Sequence, residues 1–258
     1  MRRSPLNAVS VASLLVALVA GLLPTVACAD LAFNVGAVSD YRYRGISQTR
    51  LKPALQAGVD YTAGGFYLGA WGSTIKWVKD AYGDAQVEVD LYGGYKGEIA
   101  KDLGFDLGVL QYVYPGARTA QWNAGYKNPN TTEVYGGLTF GPATAKLSYA
   151  TTNLFGNYDF GANNGSKGSW YLDLSASFDV GGGVMLAPHV GHQKVRNITN
   201  ASYTDYALTV SKDFNGLVPS LAIVGTNANK SFYVPGGAAN STKFMGRTAL
   251  VAGLKYNF

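Results

Sequence analysis

Apolar and polar residues alternate along most of the chain after residue 29, in stretches of about nine to twelve residues. The clearest stretch is 170–179. Its apolar residues are Trp170, Leu172, Leu174, Ala176 and Phe178, and the residues between them are Tyr171, Asp173, Ser175, Ser177 and Asp179. Because successive side chains of a strand point to opposite faces, the pattern predicts strands with one apolar and one polar face.

The links between these stretches alternate in length along the chain. Short links are expected at 62–65, 97–101, 141–142, 180–183 and 214–217. Longer polar links are expected at 46–52, 76–84, 115–130, 154–168, 194–202 and 226–246. Short turns on one rim and long loops on the other are typical of an up-and-down outer-membrane barrel.

Together these patterns predict an all-β fold. Residues 30–258 would form one domain, a single up-and-down antiparallel transmembrane β-barrel of about 12 strands. An even number of strands would place both ends of the domain on the same rim. A helical membrane protein is excluded, because no apolar run of ~18 residues follows residue 29.

Residues 1–29 have the pattern of a cleaved signal peptide. Arg2 and Arg3 are followed by the apolar run 11–23, and Ala27-Cys28-Ala29 forms an A-x-A cleavage site. The apolar run is shorter than the ~20 residues of a spanning helix. Lipidation at Cys28 is the alternative, although the leucine usual before such a site is absent.

Composition narrows the class of protein further. Charged residues make up only 14% of the chain, whereas soluble domains usually contain about 25%. The net charge of +5 is not concentrated in a basic stripe, so we expect no nucleic-acid partner. Since Cys28 is the only cysteine, the mature domain would contain no disulfide.

Two blocks near the start of the domain resemble a known family. Residues 33–49 read FNVGAVSDYRYRGISQT, and residues 53–61 read PALQAGVDY. They resemble the TorF porin family, formerly a conserved hypothetical exported protein family, and FYLGAWGS at 66–73 and EVDLYGGY at 88–95 fit its continuation. The resemblance implies an outer-membrane location and a pore, without a substrate or catalytic residues.

Charged residues at the polar positions of the alternating pattern are expected to face the lumen. These candidates are Asp40, Arg42, Arg44, Asp60, Glu88 and Asp90. One interpretation is a charged constriction that selects solutes. The other is a salt-bridge network between the two arginines and Asp60, Glu88 or Asp90 that rigidifies the barrel.

Aromatic residues at the apolar, lipid-facing positions of the alternating pattern are expected near strand ends. These candidates are Tyr41, Tyr43, Tyr61, Tyr149, Trp170, Tyr256 and Phe258. Such rings form girdles at the depth of the lipid headgroups. Tyrosines of the other face, such as Tyr92 and Tyr112, could instead offer a platform on which sugars stack.

The two histidines give little support to enzymatic or metal chemistry. His189 and His192 are three residues apart, a spacing that sends them to opposite faces of a strand. No serine motif of a hydrolase accompanies them. We therefore expect no catalytic residues, no metal and no cofactor.

Three functions are compatible with such a barrel. The first is a porin-like channel for passive diffusion of small solutes through a narrow lumen. The second is a non-conducting structural or adhesive barrel that presents its extracellular loops, and the third is a lipid-acting enzyme. In each case the expected partners are the bilayer with its lipopolysaccharide and, during biogenesis, the barrel-assembly machinery, for which the last strand with Phe258 is the expected signal.

Overall fold

The computed structural model describes residues 29–78, 84–117, 127–234 and 243–258. The predicted signal peptide, 1–29, and the candidate lipidation site, Cys28, lie outside the described residues apart from Ala29. None of the described segments forms a helix long and apolar enough to span a membrane.

Twelve strands form the main sheet. They are β1 (Asp30–Val38), β2 (Ala54–Ala63), β3 (Phe66–Thr74), β4 (Val87–Ala100), β5 (Leu103–Val113), β6 (Thr131–Phe140), β7 (Ala143–Ala150), β8 (Trp170–Ala176, continued by Phe178–Asp179), β9 (Val184–Lys194), β10 (Tyr203–Lys212), β11 (Leu217–Thr226) and β12 (Ala249–Asn257). Each pairs with its neighbours in the sequence, and all pairs are antiparallel. The prediction of an all-β, up-and-down fold with about twelve strands is confirmed.

The sheet closes on itself between its first and last strands. β1 pairs with β12 in the register Asn34 opposite Asn257. Beyond that register, Phe33 and Phe258 exchange both backbone hydrogen bonds, of 2.9 and 3.0 Å, and their rings stack at 5.8 Å. Closure leaves the barrel without an exposed sheet edge.

Turn length differs between the two rims, as the sequence predicted. The short-turn rim carries the links 64–65, 101–102, 141–142, 180–183 and 213–216. The long-loop rim carries 39–53, 75–86, 114–130, 151–169, 195–202 and 227–248. β1 begins and β12 ends at the short-turn rim.

The outward face of the barrel is apolar. No carboxylate points outward from any of the twelve described strands, and the two outward lysines, Lys194 and Lys212, are the last residues of their strands. Large aliphatic side chains are instead exposed around the barrel: Leu55, Leu68, Leu91, Leu107, Leu138, Leu147, Leu174, Val190, Leu208, Leu221, Ile223, Leu250 and Leu254. The carboxylates of the strand interiors point into the lumen, so the polarity is opposite to that of a soluble barrel.

The first strand is shorter than its alternation predicted. β1 ends at Val38, and the chain then turns into the lumen as a segment that we call the inner hairpin, residues 39–53. Its two short strands, Arg42–Tyr43 and Ile46–Ser47, are joined at Arg44 and Gly45, whose φ angles of 46° and 78° are those of a two-residue hairpin turn. Residues beyond Val38 therefore no longer follow the parity of β1.

Lumen-facing tyrosines lie flat over glycines of the neighbouring strands. Tyr135 on β6 is directly opposite Gly108 on β5, and a Cβ added at Gly108 would collide with the tyrosine ring and lie 2.8 Å from the carbonyl oxygen of Gly93. Tyr92 covers Gly69 and Tyr67 covers Gly94 in the same way. The glycines let bulky rings fit against the wall of a narrow barrel.

This packing predicts different effects for two glycine substitutions on the lumen face. Gly108→Ala should destabilise the barrel by about 1–3 kcal/mol, because the new methyl group overlaps the Tyr135 ring and the backbone. Gly137→Ala is the matched control, since its Cβ would meet nothing closer than 3.6 Å. Urea unfolding followed by gel mobility measures both. Equal stabilities for the two variants would contradict the packing described here.

Candidate functional site

The inner hairpin and the wall beneath it bring together five of the six predicted lumen residues, whereas Asp60 lies nearer the short-turn rim. Asp60 on β2 and Glu88 and Asp90 on β4 point inward. Asp40, Arg42 and Arg44 also lie inside the barrel, but on the inner hairpin and not on a strand of the wall. The hairpin therefore carries its charges into the lumen at the long-loop end.

Arg44 binds strands on two sides of the lumen. Its Nη1 and Nη2 donate to the two carboxylate oxygens of Glu133 on β6, at 3.0 and 2.6 Å. Nη1 also donates to Oε1 of Gln193 on β9 at 2.6 Å, and the guanidinium lies 4.2 Å from the centre of the Tyr171 ring. With Glu133 only 1% exposed, this buried ion pair fixes where the hairpin sits.

Arg42 is bound within the hairpin and to the last long loop. Its Nε donates to Asp40 at 2.5 Å, and its Nη1 donates to the carbonyl oxygens of Gly45, Met245 and Arg247 at 3.0, 3.2 and 2.9 Å. Asp40 also accepts a bond of 2.5 Å from Ser47. The charge of Arg42 is thus balanced by its own hairpin.

Tyr41 and Tyr43 correct the prediction of an aromatic girdle at these two positions. Tyr41 is 2% exposed and donates to Glu88 at 2.6 Å, while the hydroxyl of Tyr43 contacts that of Tyr112 on β5. Both face the lumen, because the strand parity that placed them outside ends at Val38. Burial raises the pKa of both phenols, which therefore stay protonated at neutral pH.

Loop residues complete an aromatic cluster around the hairpin. Phe155, from the loop 151–169, packs edge-on against Tyr43 and Tyr112 at 5.6 and 5.3 Å. Trp77, from the loop 75–86, packs against Phe155 at 6.2 Å. Tyr112 is 1% exposed in this cluster, so it offers no free face to a sugar.

The tip of the hairpin reaches the wall formed by β10 and β11. A Cβ at Gly45 would lie 2.5 Å from Cγ2 of Thr226 and 2.7 Å from Cβ of Asp205. Gly45 is required there both by its positive φ and by this close approach. With its side chains on β4, β5, β6 and β9, the hairpin spans the lumen.

The partners of the arginines differ from those considered in the sequence. Arg42 pairs with Asp40 and Arg44 with Glu133, whereas the partners considered from the sequence were Asp60, Glu88 and Asp90. Glu133 and Gln193 were missed as site residues. Their signal in the sequence is weak: each is a polar residue on the lumen parity near the long-loop end of its strand.

Asp90 is buried without a hydrogen-bond partner. It is 0% exposed, and neither carboxylate oxygen accepts a bond from any described residue. Its neighbours across the sheet are Trp71 on β3 and Tyr112 on β5, and Tyr41 of the hairpin packs against Trp71 at 5.4 Å. The hairpin thus covers an unpaired carboxyl group.

Nearer the short-turn rim, charged and phenolic groups are paired across the strands. Tyr92 donates to Asp60 and Tyr67 to Asp106, both at 2.5 Å. The Lys146 ammonium lies 3.6 Å from the centre of the Tyr135 ring. This part of the lumen wall is polar and carries both signs of charge.

The histidines lie on opposite faces of β9. His189 points inward, where Nε2 is 2.8 Å from Asp205 and Nδ1 is 3.2 Å from Asp173. His192 contacts Thr204 at 2.9 Å. No serine of the described residues bonds to His189, and within the same ranges no group of three or more His, Cys, Asp or Glu side chains could hold a metal ion.

The other predicted girdle residues are on the exterior. Tyr61, Tyr256 and Phe258 are exposed near the short-turn rim. Tyr149 and Trp170 are directly opposite each other, on β7 and β8 near the long-loop rim. Outward aromatic rings therefore occur at both ends of the barrel.

Comparisons with known proteins agree with this architecture. A family model described as a bacterial protein of unknown function (Gcw_chp) matches residues 25–258. This description does not carry the TorF name expected from residues 33–61. No curated protein matches the chain.

Solved porins are similar in fold. The chain is similar to a KdgM porin with 8% sequence identity and a TM-score of 0.53, over 88% of this chain and 99% of that one. A NanC porin gives 10% identity and a TM-score of 0.53, over 89% and 99%. A KdgM porin in complex with disordered oligogalacturonate gives 8% and 0.52, over 90% and 99%. At these identities the similarity shows the fold alone.

The Arg44–Glu133 pair predicts strong coupling between two substitutions. Arg44→Met or Glu133→Gln alone should destabilise the barrel by about 3–5 kcal/mol, because each leaves a buried charged group without its counter-charge. The double variant should be more stable than the sum of the two losses predicts, by about 1–3 kcal/mol. Urea unfolding of all four proteins measures this coupling, and strictly additive losses would show that the pair does not hold the hairpin.

Proposed function

The chain belongs to the bacterial Gcw_chp family, whose function is unknown, and we propose that it is an outer-membrane channel for passive diffusion of small solutes. Four features support this proposal: the closed barrel, its apolar exterior, its polar lumen and the hairpin that narrows one end. The finer identification as a member of the TorF porin family is part of the proposal.

The exterior supports a location in a membrane. A barrel with exposed leucine, isoleucine and valine around its strands, and no outward carboxylate, would bury that surface in lipid. The outward rings of Tyr61, Tyr256 and Phe258 at one end, and of Tyr149 and Trp170 at the other, would lie at the two headgroup regions. The bilayer and its lipopolysaccharide are therefore the proposed surroundings.

The proposed location requires that the chain be exported. Residues 1–29 would act as the cleaved signal peptide that directs the chain across the inner membrane. The barrel-assembly machinery would then insert residues 30–258 into the outer membrane. The short-turn rim would face the periplasm, and the long loops and the inner hairpin would lie at the extracellular end.

The uneven filling of the lumen is the main observation that supports a channel. Bulky inward side chains line one half of the wall: Tyr67, Trp71, Tyr92, Leu110, Tyr112, Tyr135 and Tyr171. The other half carries small inward side chains together with larger ones such as Met185, His189, Tyr203, Val218 and Lys255; the small ones are Asn34, Gly36, Ala187, Ala207, Thr209, Ser211, Ser220, Ala222 and Gly253. We place the solute path along this second half, which we call the small-residue wall.

The solute named for one of the similar porins cannot simply be assigned to this protein. Oligogalacturonate, in complex with a KdgM porin, is a polymer of carboxylated sugars. In the present barrel Arg42 and Arg44 are paired with Asp40 and Glu133, so these two arginines are not available to attract such a chain. The proposal is therefore limited to small solutes.

A matched pair of substitutions on β10 tests the path. Ala207 faces the lumen and Leu208 faces outward, being 44% exposed. In planar bilayers the protein should give discrete conductance steps. Ala207→Trp should reduce the conductance to less than about half, because the indole fills the small-residue wall, whereas Leu208→Trp should leave it unchanged.

Two results would contradict the proposal. Barrels shown to be folded by heat-modifiable gel mobility that give no conductance at any voltage would exclude a channel. Conductance that is insensitive to Ala207→Trp would exclude the path along the small-residue wall while leaving a channel in place.

A further inference from the structure

The inner hairpin crosses the long-loop end of the lumen in the conformation described here. Its side chains contact β4, β5, β6 and β9, and its tip touches β10 and β11 at Asp205 and Thr226. The wall residues beneath it are shielded from solvent, among them Asp90, Tyr112 and Glu133 at 0–1% exposure. A solute that follows the small-residue wall would therefore meet the hairpin.

The burial of Asp90 raises the free energy of the state in which the hairpin lies across the lumen, which we call the closed state. In either protonation state, a carboxyl group shielded from solvent with no hydrogen-bond partner loses its hydration without compensation. Glu88, two residues away on the same face of β4, is a second carboxylate, and its bond from the hairpin comes from the Tyr41 hydroxyl. Hairpin displacement would expose both groups to water.

The bonds that hold the hairpin in place oppose this cost. Toward the wall they are the Arg44 bonds to Glu133 and Gln193, the Tyr41 bond to Glu88, and the contact between Tyr43 and Tyr112. Toward the long loops they are the Arg42 bonds to the carbonyl oxygens of Met245 and Arg247 and the backbone bonds that join Ser47 to Met245, and Lys76 and Trp77 to Gln48. The hairpin continues into β1 at one end and into β2 at the other. It can therefore be displaced from the lumen without unfolding a strand of the barrel.

We propose that the inner hairpin is a gate, and that Asp90 is the residue that favours its opening. In the closed state the Arg44–Glu133 pair holds the hairpin across the lumen and Asp90 is buried without a partner. In the open state the hairpin withdraws towards the long-loop end, and Asp90 and Glu88 are hydrated. This inference rests on the proposed channel function, and it adds that the channel exchanges between closed and open states.

Single-channel recording separates a gate from a fixed constriction, because a gate changes the fraction of time open and a constriction changes the conductance of each step. Asp90→Leu should lower the open probability by about fivefold or more, since it removes the unsatisfied group and stabilises the closed state, and Asp90→Asn, which keeps a buried polar amide, should lower it less. Glu133→Gln should raise the open probability, because it weakens the bond that seats Arg44. The unit conductance should stay the same in all three variants.

Asp102→Asn is the matched control. It removes one negative charge at an exposed short turn on the opposite rim, where Asp102 has a φ of 63° that asparagine readily adopts. Its open probability should equal that of the unchanged protein. Gel mobility before and after heating verifies that each variant is folded.

The outcomes distinguish the gate from the channel itself. If the protein conducts and the Asp90 and Glu133 variants alter only the unit conductance, or leave the open probability unchanged, the gate is overturned and the channel stands. If no folded protein conducts, Glu133→Gln included, the channel and the gate both fail. Opposite shifts of open probability for the Asp90 and Glu133 variants would support the gate.

Discussion

Closure of the sheet by the pairing of β1 with β12 is the constraint on which the rest of the structure depends. Once Phe33 and Phe258 bond to each other, every strand has two neighbours and no backbone edge is open. Hydrocarbon offers no partner for an unpaired N–H or C=O group, so a closed sheet is the way in which strands can span it. The strict separation of outward and inward side chains follows from this closure, because each strand then has one face to the exterior and one to the lumen.

A narrow closed barrel must also accommodate its inward side chains. Here the solution is uneven: tyrosines lie over glycines on one half of the wall, and small residues mixed with some larger ones line the other. The inner hairpin uses the remaining width at one end, and its two buried arginines determine its position. Buried ion pairs often add little net stability, but they penalise alternative arrangements in which one partner is left unpaired. The Arg44–Glu133 pair fits that role, since it connects segments 89 residues apart in the chain.

Much of the fold was predictable because it depends on local periodicity. The strand number, the alternation of short and long connections, and the inward positions of Asp60, Glu88 and Asp90 all follow from the period of two. The same rule failed at Tyr41 and Tyr43, because it holds only while the strand continues and β1 ends at Val38. The Arg44-Gly45 turn was a local signal for that end. The pairing of Arg44 with Glu133 had no such signal, since which lumen residues meet depends on how a loop folds inside a closed barrel.

Asp90 differs from the other buried carboxyl groups around the hairpin, although Nη2 of Arg42 and Nε1 of Trp77 also lack a hydrogen-bond partner among the described residues. Glu88, Glu133 and Asp40 each accept hydrogen bonds, whereas both oxygens of Asp90 lack a partner. Packing alone would favour an apolar side chain between Trp71 and Tyr112, and a leucine there would remove the penalty. Violations of local rules in otherwise consistent structures tend to occur where function requires them. The hairpin that crosses this barrel is bound through both side chains and backbone groups. A group that destabilises this bound state lowers the free energy needed for the hairpin to move.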